Sequence, residues 1–348
     1  MESAKYLSPA DFSGLSDLLD RWHAIYPGMG VLALLAEADQ ERVPLLQRTC
    51  RQRQIPLVGA IFPALVEGPE FHERGLFLLR FNRAPIWVLQ ADIPDTPDGL
   101  DAAMDDLVHQ LRPHLSNHLP TETTLFLLLD GMLPNIASLL DALYLRLANR
   151  VSYMGANAGS KRFQPMPCLF DDQRQVDKGL LALLLTPHHG AILEHGYQAP
   201  EGMITATSTQ GNRILQIDWQ PAFEVYRERV RTRVGMDINQ DNFYQYSVHF
   251  PFGIVRANGI TLVRIPVALE EDGSLFCIGE VPANSVLVLL DAPAVNSRYT
   301  QDKVLGGLEA VHGPLRGADM LLFYCAGRHL HLGEAARAEL HQLCERSA

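Results

Sequence analysis

Cysteine is scarce in this 348-residue chain: Cys50, Cys168, Cys277, Cys325 and Cys344 are all there is. The number is odd, the spacings are wide and no C-x-x-C occurs. A disulfide framework and a structural zinc site are therefore not expected, and reduced thiols in the cytoplasm are. Basic runs are missing as well. Arg51-Gln52-Arg53 and the stretch from Arg227 to Arg233 are the densest, and both are short and mixed. With a net charge of −11 the chain is not expected to bind nucleic acid or anionic membranes non-specifically. Long apolar runs are absent too. Leu180 to Leu185 is typical of the longest, far short of the roughly 18 residues of a membrane span. The start, Met1-Glu2-Ser3-Ala4-Lys5, has no apolar core of a signal peptide. No G-x-S-x-G, H-E-x-x-H or EF-hand loop appears.

Apolar residues make up 47% of the chain, enough for a sizeable core, and the length suits two domains. The expected fold class is α/β (α+β mixed), with layered sheets covered by helices. Residues 8–25 read as a lead-in helix, with Leu15, Leu18, Leu19 and Trp22 at helical spacing. A buried strand at 30–35, a helix from about 40 to 54, and strands at 55–60, 75–81 and 85–91 follow. The order then recurs: a strand at 124–129, a helix from 136 to 148, a strand at 151–156 and another at 178–185. Val58-Gly59-Ala60 matches Met154-Gly155-Ala156, and Arg74-Gly75-Leu76 matches Lys178-Gly179-Leu180. The first pair of glycines lies 96 apart and the second 104, which predicts a duplicated β-α-β-β unit (30–91 and 124–186) with about eight residues inserted in the second copy. A strand buried on both faces needs a helix to cover it, and ligands tend to bind outside the carboxyl ends of such strands.

The second half reads differently. Residues 202–209 alternate like a half-exposed strand, Gln210 to Arg213 is a hairpin turn, and 214–218 returns. Pro221 to Val234 and Thr300 to Val311 are helices, and strands are expected at 260–266, 275–278 and 286–290. Asp319 to Cys325 reads as a buried strand ending at Ala326-Gly327-Arg328, before a closing helix, Glu334 to Arg346. The expected layout is a lead-in (1–29), a first domain (30–198) and a second (199–348).

The second half resembles the C-terminal domain of the FIST sensory family. The residues are Gly196 and Gly202 before a Thr-rich strand, Gly211-Asn212, Ile217-Asp218, Pro221 to Tyr226, Pro251-Phe252-Gly253-Ile254, Arg264 before Asp272-Gly273-Ser274, Val281-Pro282 and Cys325-Ala326-Gly327-Arg328. The first half is similar to that family's N-terminal domain, with Gly155-Ala156-Asn157-Ala158-Gly159 in place of its Gly-rich segment. The chain departs from the pattern at Leu57 to Phe62, where the family has small polar residues after the glycine. The resemblance implies a non-enzymatic sensory module that binds a small ligand, with amino-acid-like compounds proposed. Some bacterial members are haem proteins that sense nitric oxide and act on a partner histidine kinase. This chain has no kinase, cyclase or receiver segment, so any signal would pass to a separate partner.

Several side chains are candidates. Arg328 suits capture of a carboxylate or phosphate, or forms a structural ion pair. Cys325 beside it is a thiol nucleophile for an enzyme acting on a carboxylate-bearing substrate, or a buried inert residue. Gly155, Asn157 and Ser160 present polar groups to a ligand, or form a plain turn. Lys161 does not fit a P-loop, since Arg162 stands where Ser/Thr belongs. Arg256 and Arg264 flank the same cleft, or are solvated strand residues. A haem needs one axial histidine in an apolar pocket; His188, His189 and His195, near the domain boundary, are the candidates. A pure interaction scaffold is the remaining alternative. Because the second copy keeps its glycine-rich turn, the site is expected between that copy and the C-terminal half.

Overall fold

The computed structural model describes residues 3–115, 122–200, 202–256, 260–292, 298–315 and 319–347. The first unit runs β1 (Ser3–Leu7), α1 (Leu15–Ile25), β2 (Gly30–Ala36), α2 (Val43–Gln52), β3 (Leu57–Phe62), a hairpin of β4 (Leu65–Glu67) and β5 (Glu70–His72), and β6 (Leu76–Phe81). The second repeats it as β7 (Ile86–Gln90), α3 (Pro97–Leu111), β8 (Thr124–Asp130), α4 (Ile136–Leu147), β9 (Ser152–Ala158), β10 (Leu169–Asp171), β11 (Gln175–Val176) and β12 (Leu180–Leu185). The strand orders agree: β1-β6-β2-β3 in the first sheet and β7-β12-β8-β9 in the second. In both, the two strands joined by a helix are parallel and the third is antiparallel.

The duplication is thus larger than the sequence pattern shows. A strand precedes the lead-in helix, and β7, expected to close the first copy, pairs with β12 of the second. The two units are β-α-β-α-β with a hairpin and a last strand, over 3–81 and 86–185. The eight extra residues are localised too. Two residues, 63–64, link β3 to β4, whereas ten, 159–168, link β9 to β10. That length lets β10 leave its own unit and pair antiparallel with β3 of the first, setting Phe170 opposite Gly59.

The sheets stack face to face. Phe126, Leu128, Leu181 and Leu183 of the second sheet join the first sheet's core, while Leu125, Leu127, Leu129 and Leu180 face α3 and α4. This is period-two alternation with both faces buried, each leucine worth about 1.5–3 kcal/mol. Gly59 and Gly155 lie within strands, not in turns. A Cβ on Gly59 would sit 2.2 Å from the Phe170 ring, and one on Gly155 2.2 Å from the Leu127 carbonyl oxygen. Close backbone approach is what both positions require.

The second half builds a third sheet from β13 (Ile204–Gln210), β14 (Arg213–Ile217), β15 (Gln220–Pro221), β16 (Phe252–Val255), β17 (Thr261–Arg264), β18 (Pro266–Leu269), β19 (Leu275–Cys277) and β20 (Ser285–Leu289). Its order is β17-β16-β20-β13-β14-β19-β18. Only Ile265 separates β17 from β18, so one bent strand joins both ends of the sheet. Helix α5 (Ala222–Val234) packs Tyr226 into this sheet's core, and its hydroxyl donates to the Phe250 carbonyl at 3.0 Å. Helices α6 (Phe243–Ser247), α7 (Arg298–His312), α8 (Ala326–Leu332) and α9 (Ala335–Ser347) complete the described chain.

The strand expected at 319–325 does not form; these residues are irregular and α8 follows them. The apolar run serves as a plug instead. Phe323 packs on Phe62 and Phe126, with ring centroids at 5.6 and 5.9 Å, bridging the two stacked sheets. A short apolar run has no periodicity to separate these outcomes. The halves also join where Glu280 accepts from the Ser138 N–H (3.0 Å) and hydroxyl (2.9 Å) in the first turn of α4, which has no cap of its own. A carboxylate there satisfies orphan donors and meets the positive end of the helix dipole.

Candidate functional site

A cleft of about 360 Å³ opens at the carboxyl ends of β2 and β3. Glu37 and Ala38 follow β2, Pro63 follows β3, and Glu73 precedes β6. The opposite wall is the inserted segment, with Lys161, Arg162 and Gln164. Gly159 begins it, donating to the Ile61 carbonyl at 2.9 Å across the two units. Its φ of +135° suits glycine. Glu37 then accepts from the Ser160 hydroxyl and the Lys161 N–H, both at 2.8 Å, and Lys161 Nζ lies 2.6 Å from Glu73. That ammonium holds the Glu73 carboxyl below its ordinary range.

Asp39 anchors the cleft edge. Its side chain is fully buried, with Arg74 Nη2 at 2.6 Å, the Gly75 N–H at 2.7 Å and Arg42 Nε at 3.3 Å. Burial alone would raise its pKa; the hydrogen bonds from Arg74 and Gly75 outweigh that and lower it. The cleft alternates carboxylates and cations and offers no cysteine or histidine among its lining residues. Such a lining suits recognition of a small molecule carrying both charge signs.

The expected residues scatter. Ser160 sits at the cleft, clamping Glu37. Gly155 and Asn157 lie in β9, exposed, on the strand that leads into it. The C-terminal half lines none of the cleft, contrary to expectation, because the insertion crosses to the first copy and not to the third sheet.

Arg328 is not in a strand-end turn. It is buried in α8, where Nε donates to Glu339 Oε2 at 2.8 Å, Nη2 pairs with Glu339 Oε1, and Nη1 donates to the His195 carbonyl at 3.1 Å. Tyr324 adds its hydroxyl to the same carboxylate at 2.5 Å. The guanidinium is committed to a structural ion pair. Gly327 serves packing: a Cβ there would meet Ile265 Cδ1 at 2.4 Å. Cys325 is exposed at the start of α8, not buried as expected. Arg264 is half-buried and spends Nε on the Glu280 carbonyl (2.7 Å) and Nη1 on the Val263 carbonyl (3.0 Å); burial lowers its pKa. Arg256 is half-buried at the end of β16, and neither arginine reaches the cleft lining.

None of the three candidate histidines lines the cleft. His195 accepts from the Tyr197 N–H at Nδ1 (3.0 Å) and contacts the Thr261 carbonyl through Nε2 (3.2 Å), so both ring nitrogens are engaged. His188 Nδ1 bonds Thr124 Oγ1 at 2.9 Å and the Gly190 N–H at 3.2 Å, and its ring packs edge-on to His312. Burial first, then His312, pushes its pKa down to about 4. His189 is exposed. Among the described residues no cluster of three or more His, Cys, Asp or Glu could hold a metal ion.

Glu37, Glu73 and Glu339 are the residues the sequence pattern missed. The first two follow or precede apolar strands, but only the crossing insertion brings them together.

Family models match almost the whole chain: the FIST N domain over residues 31–220 and the FIST C domain over 222–348. No curated protein and no solved structure matches it.

Proposed function

Because the chain belongs to the FIST family, whose domains are sensory modules that bind small ligands in signal transduction, we propose that the cleft at Glu37, Glu73, Lys161 and Arg162 is its ligand site. The ligand class is an amino-acid-like zwitterion. Its ammonium meets Glu37 and Glu73, and its carboxylate meets Lys161 and Arg162. The observation that carries this reading is the clamp of Ser160 and Lys161 on Glu37, which sets carboxylates and cations around one small cleft. Signal passes to a separate partner in the cytoplasm, with a histidine kinase as the narrow reading. No helix among the described residues is long and apolar enough to cross a membrane. We place the domain boundary near residue 199, because β13 and β14 hydrogen-bond within the third sheet.

Haem-based nitric-oxide sensing is the narrower alternative within the family, and catalysis by Cys325 and Arg328 the alternative outside it. Against them stand the two engaged ring nitrogens of His195 and the Arg328–Glu339 pair.

The test is a thermal-shift screen of amino acids and small acids, repeated on Glu37→Gln and Lys161→Ala. At hundredfold saturation a ligand should raise the midpoint by about 4–7 °C, and either substitution should abolish the rise. A rise unchanged by both substitutions refutes the cleft. A Soret band after haem addition, lost in His188→Ala, His189→Ala or His195→Ala, replaces this ligand class with haem.

A further inference from the structure

The duplication places one more site on the molecule. At offset 104 the hairpin β4–β5 is the counterpart of β10–β11. Leu65↔His72 and Val66↔Phe71 in the first copy correspond to Leu169↔Val176 and Phe170↔Gln175 in the second. The counterparts behave differently. β10 seals the outer edge of β3. β4 pairs only with β5, and β9 stands at the end of the second sheet with no strand on its far side among the described residues. The two-residue link 63–64 is too short for the crossing that ten residues allow β10.

The open edge has the features of its sealed twin. Gly59 and Gly155 occupy the same register, each opposite the fourth residue of its parallel neighbour. The Phe170 ring covers Gly59, which is buried; Gly155 is exposed, and the first unit's counterpart of Phe170 is Val66, which pairs within β4–β5. The hydrogen-bonding groups point outward. The Ser152 N–H donates to the Thr123 carbonyl on the β8 side, so by alternation the N–H groups of Gly155 and Asn157 face the open edge. The twin agrees, since Ile61, equivalent to Asn157, donates to the carbonyl of Cys168, just before β10, at 2.8 Å. Natural edges of this length are normally blocked by proline, charge or a covering element, and β9 carries neither proline nor a charged residue along its seven residues.

We propose that the edge of β9 docks an extended segment of a partner protein by antiparallel strand addition, with an aromatic residue of the partner seated over Gly155. The pairing follows β10 on β3: an aliphatic residue opposite Ala156, the aromatic opposite Gly155, and acidic residues beyond it running toward exposed Arg150. Main-chain bonds supply affinity and the glycine dimple supplies selectivity. Exposed Tyr144, packed at a tilt against Tyr153 with ring centroids at 6.0 Å, widens the apolar flank. This surface does not rest on the ligand cleft, although β9 runs directly into the cleft wall at Gly159.

The experiment uses the full chain and a labelled peptide with the sequence of residues 166–176, which carries the strand that seals the twin edge. Binding is read by fluorescence anisotropy and located by amide hydrogen exchange. The expected result is saturable binding with new protection at Gly155 and Asn157. A peptide with Phe170→Ala should bind about tenfold more weakly, and so should a peptide methylated on its edge-facing amides. Asn157→Pro, which removes one outward N–H, should weaken binding with circular dichroism unchanged; if that variant misfolds, the peptide variants decide. No binding up to about 1 mM overturns the proposal. So does protection confined to Ile61, which would mean displacement of β10, or a chain that self-associates through β9 and ignores the peptide.

Discussion

Replacing Arg328 should unfold the protein's C-terminal packing without touching its ligand response. Both partners of the pair are more than nine-tenths buried, Arg328 at 7% exposure and Glu339 at 8%. Burial alone would lower the Arg328 pKa; Glu339 outweighs it and holds the guanidinium charged. Arg328→Met leaves the Glu339 carboxylate buried with Tyr324 as its donor and leaves the His195 carbonyl without its arginine. Stranding one charge of a buried pair costs about 3–5 kcal/mol. Glu339→Leu strands the guanidinium and should cost about as much. The double variant removes both charges and fills the volume. It should lose only about 1–2 kcal/mol, chiefly for the unpaired His195 carbonyl and Tyr324 hydroxyl. The double variant is therefore expected to be more stable than either single one, a coupling of about 3 kcal/mol or more. Equilibrium urea unfolding followed by circular dichroism measures all four proteins. Singles that each cost under about 1 kcal/mol, or a double equal to their sum, would refute the buried-pair reasoning. Loss of ligand binding in a stably folded double variant would return Arg328 to the ligand site.

Two further predictions concern stability alone. His188 has a folded pKa of about 4 against 6.5 for the free side chain. Between these values the unfolded chain holds the proton and the folded chain does not, so stability falls as pH drops from 6.5 and levels off below 4. The full shift corresponds to about 3 kcal/mol, and allowing for partial exposure leaves about 1–2 kcal/mol; His188→Asn should flatten that part of the pH–stability curve measured by urea unfolding. Gly59→Ala and Gly155→Ala each force a Cβ to within 2.2 Å of neighbouring atoms and should cost about 2–4 kcal/mol. Gly14→Ala, with nothing within 4 Å, is the control that should leave the unfolding midpoint in place.

How much of this was legible in the sequence depends on the length of the signal. Strands such as Thr124–Asp130 are long, apolar and buried on both faces, so they and the matched glycines revealed the repeat. β1 is hidden because Ser-Ala-Lys-Tyr-Leu is half polar, and β7 reads as part of the first copy because pairing partners are not written in periodicity. β10 is three residues long. The length of the insertion was readable, but not that it crosses to the other copy, and the candidate cleft depends on that crossing. Arg328 reads from the sequence as an arginine in a glycine-containing turn after a buried strand; its place in α8 and its pairing depend on Glu339, which α9 brings back onto α8. The FIST resemblance pointed to the family; it did not separate packing residues such as Gly327 from ligand residues.

The crossing of β10 also has a consequence during synthesis. Leu57-Val58-Gly59-Ala60-Ile61-Phe62 leaves the ribosome early, yet the strand that covers its edge begins at Leu169. At about 5–20 residues per second the nascent chain carries that bare, apolar edge for about 5–20 s. A segment of this composition, β-prone and uncharged, is a natural target for chaperone capture or for misassembly between neighbouring nascent chains. Slowing translation between residues 62 and 169 should therefore lower the soluble yield, even though it changes no residue of the folded protein.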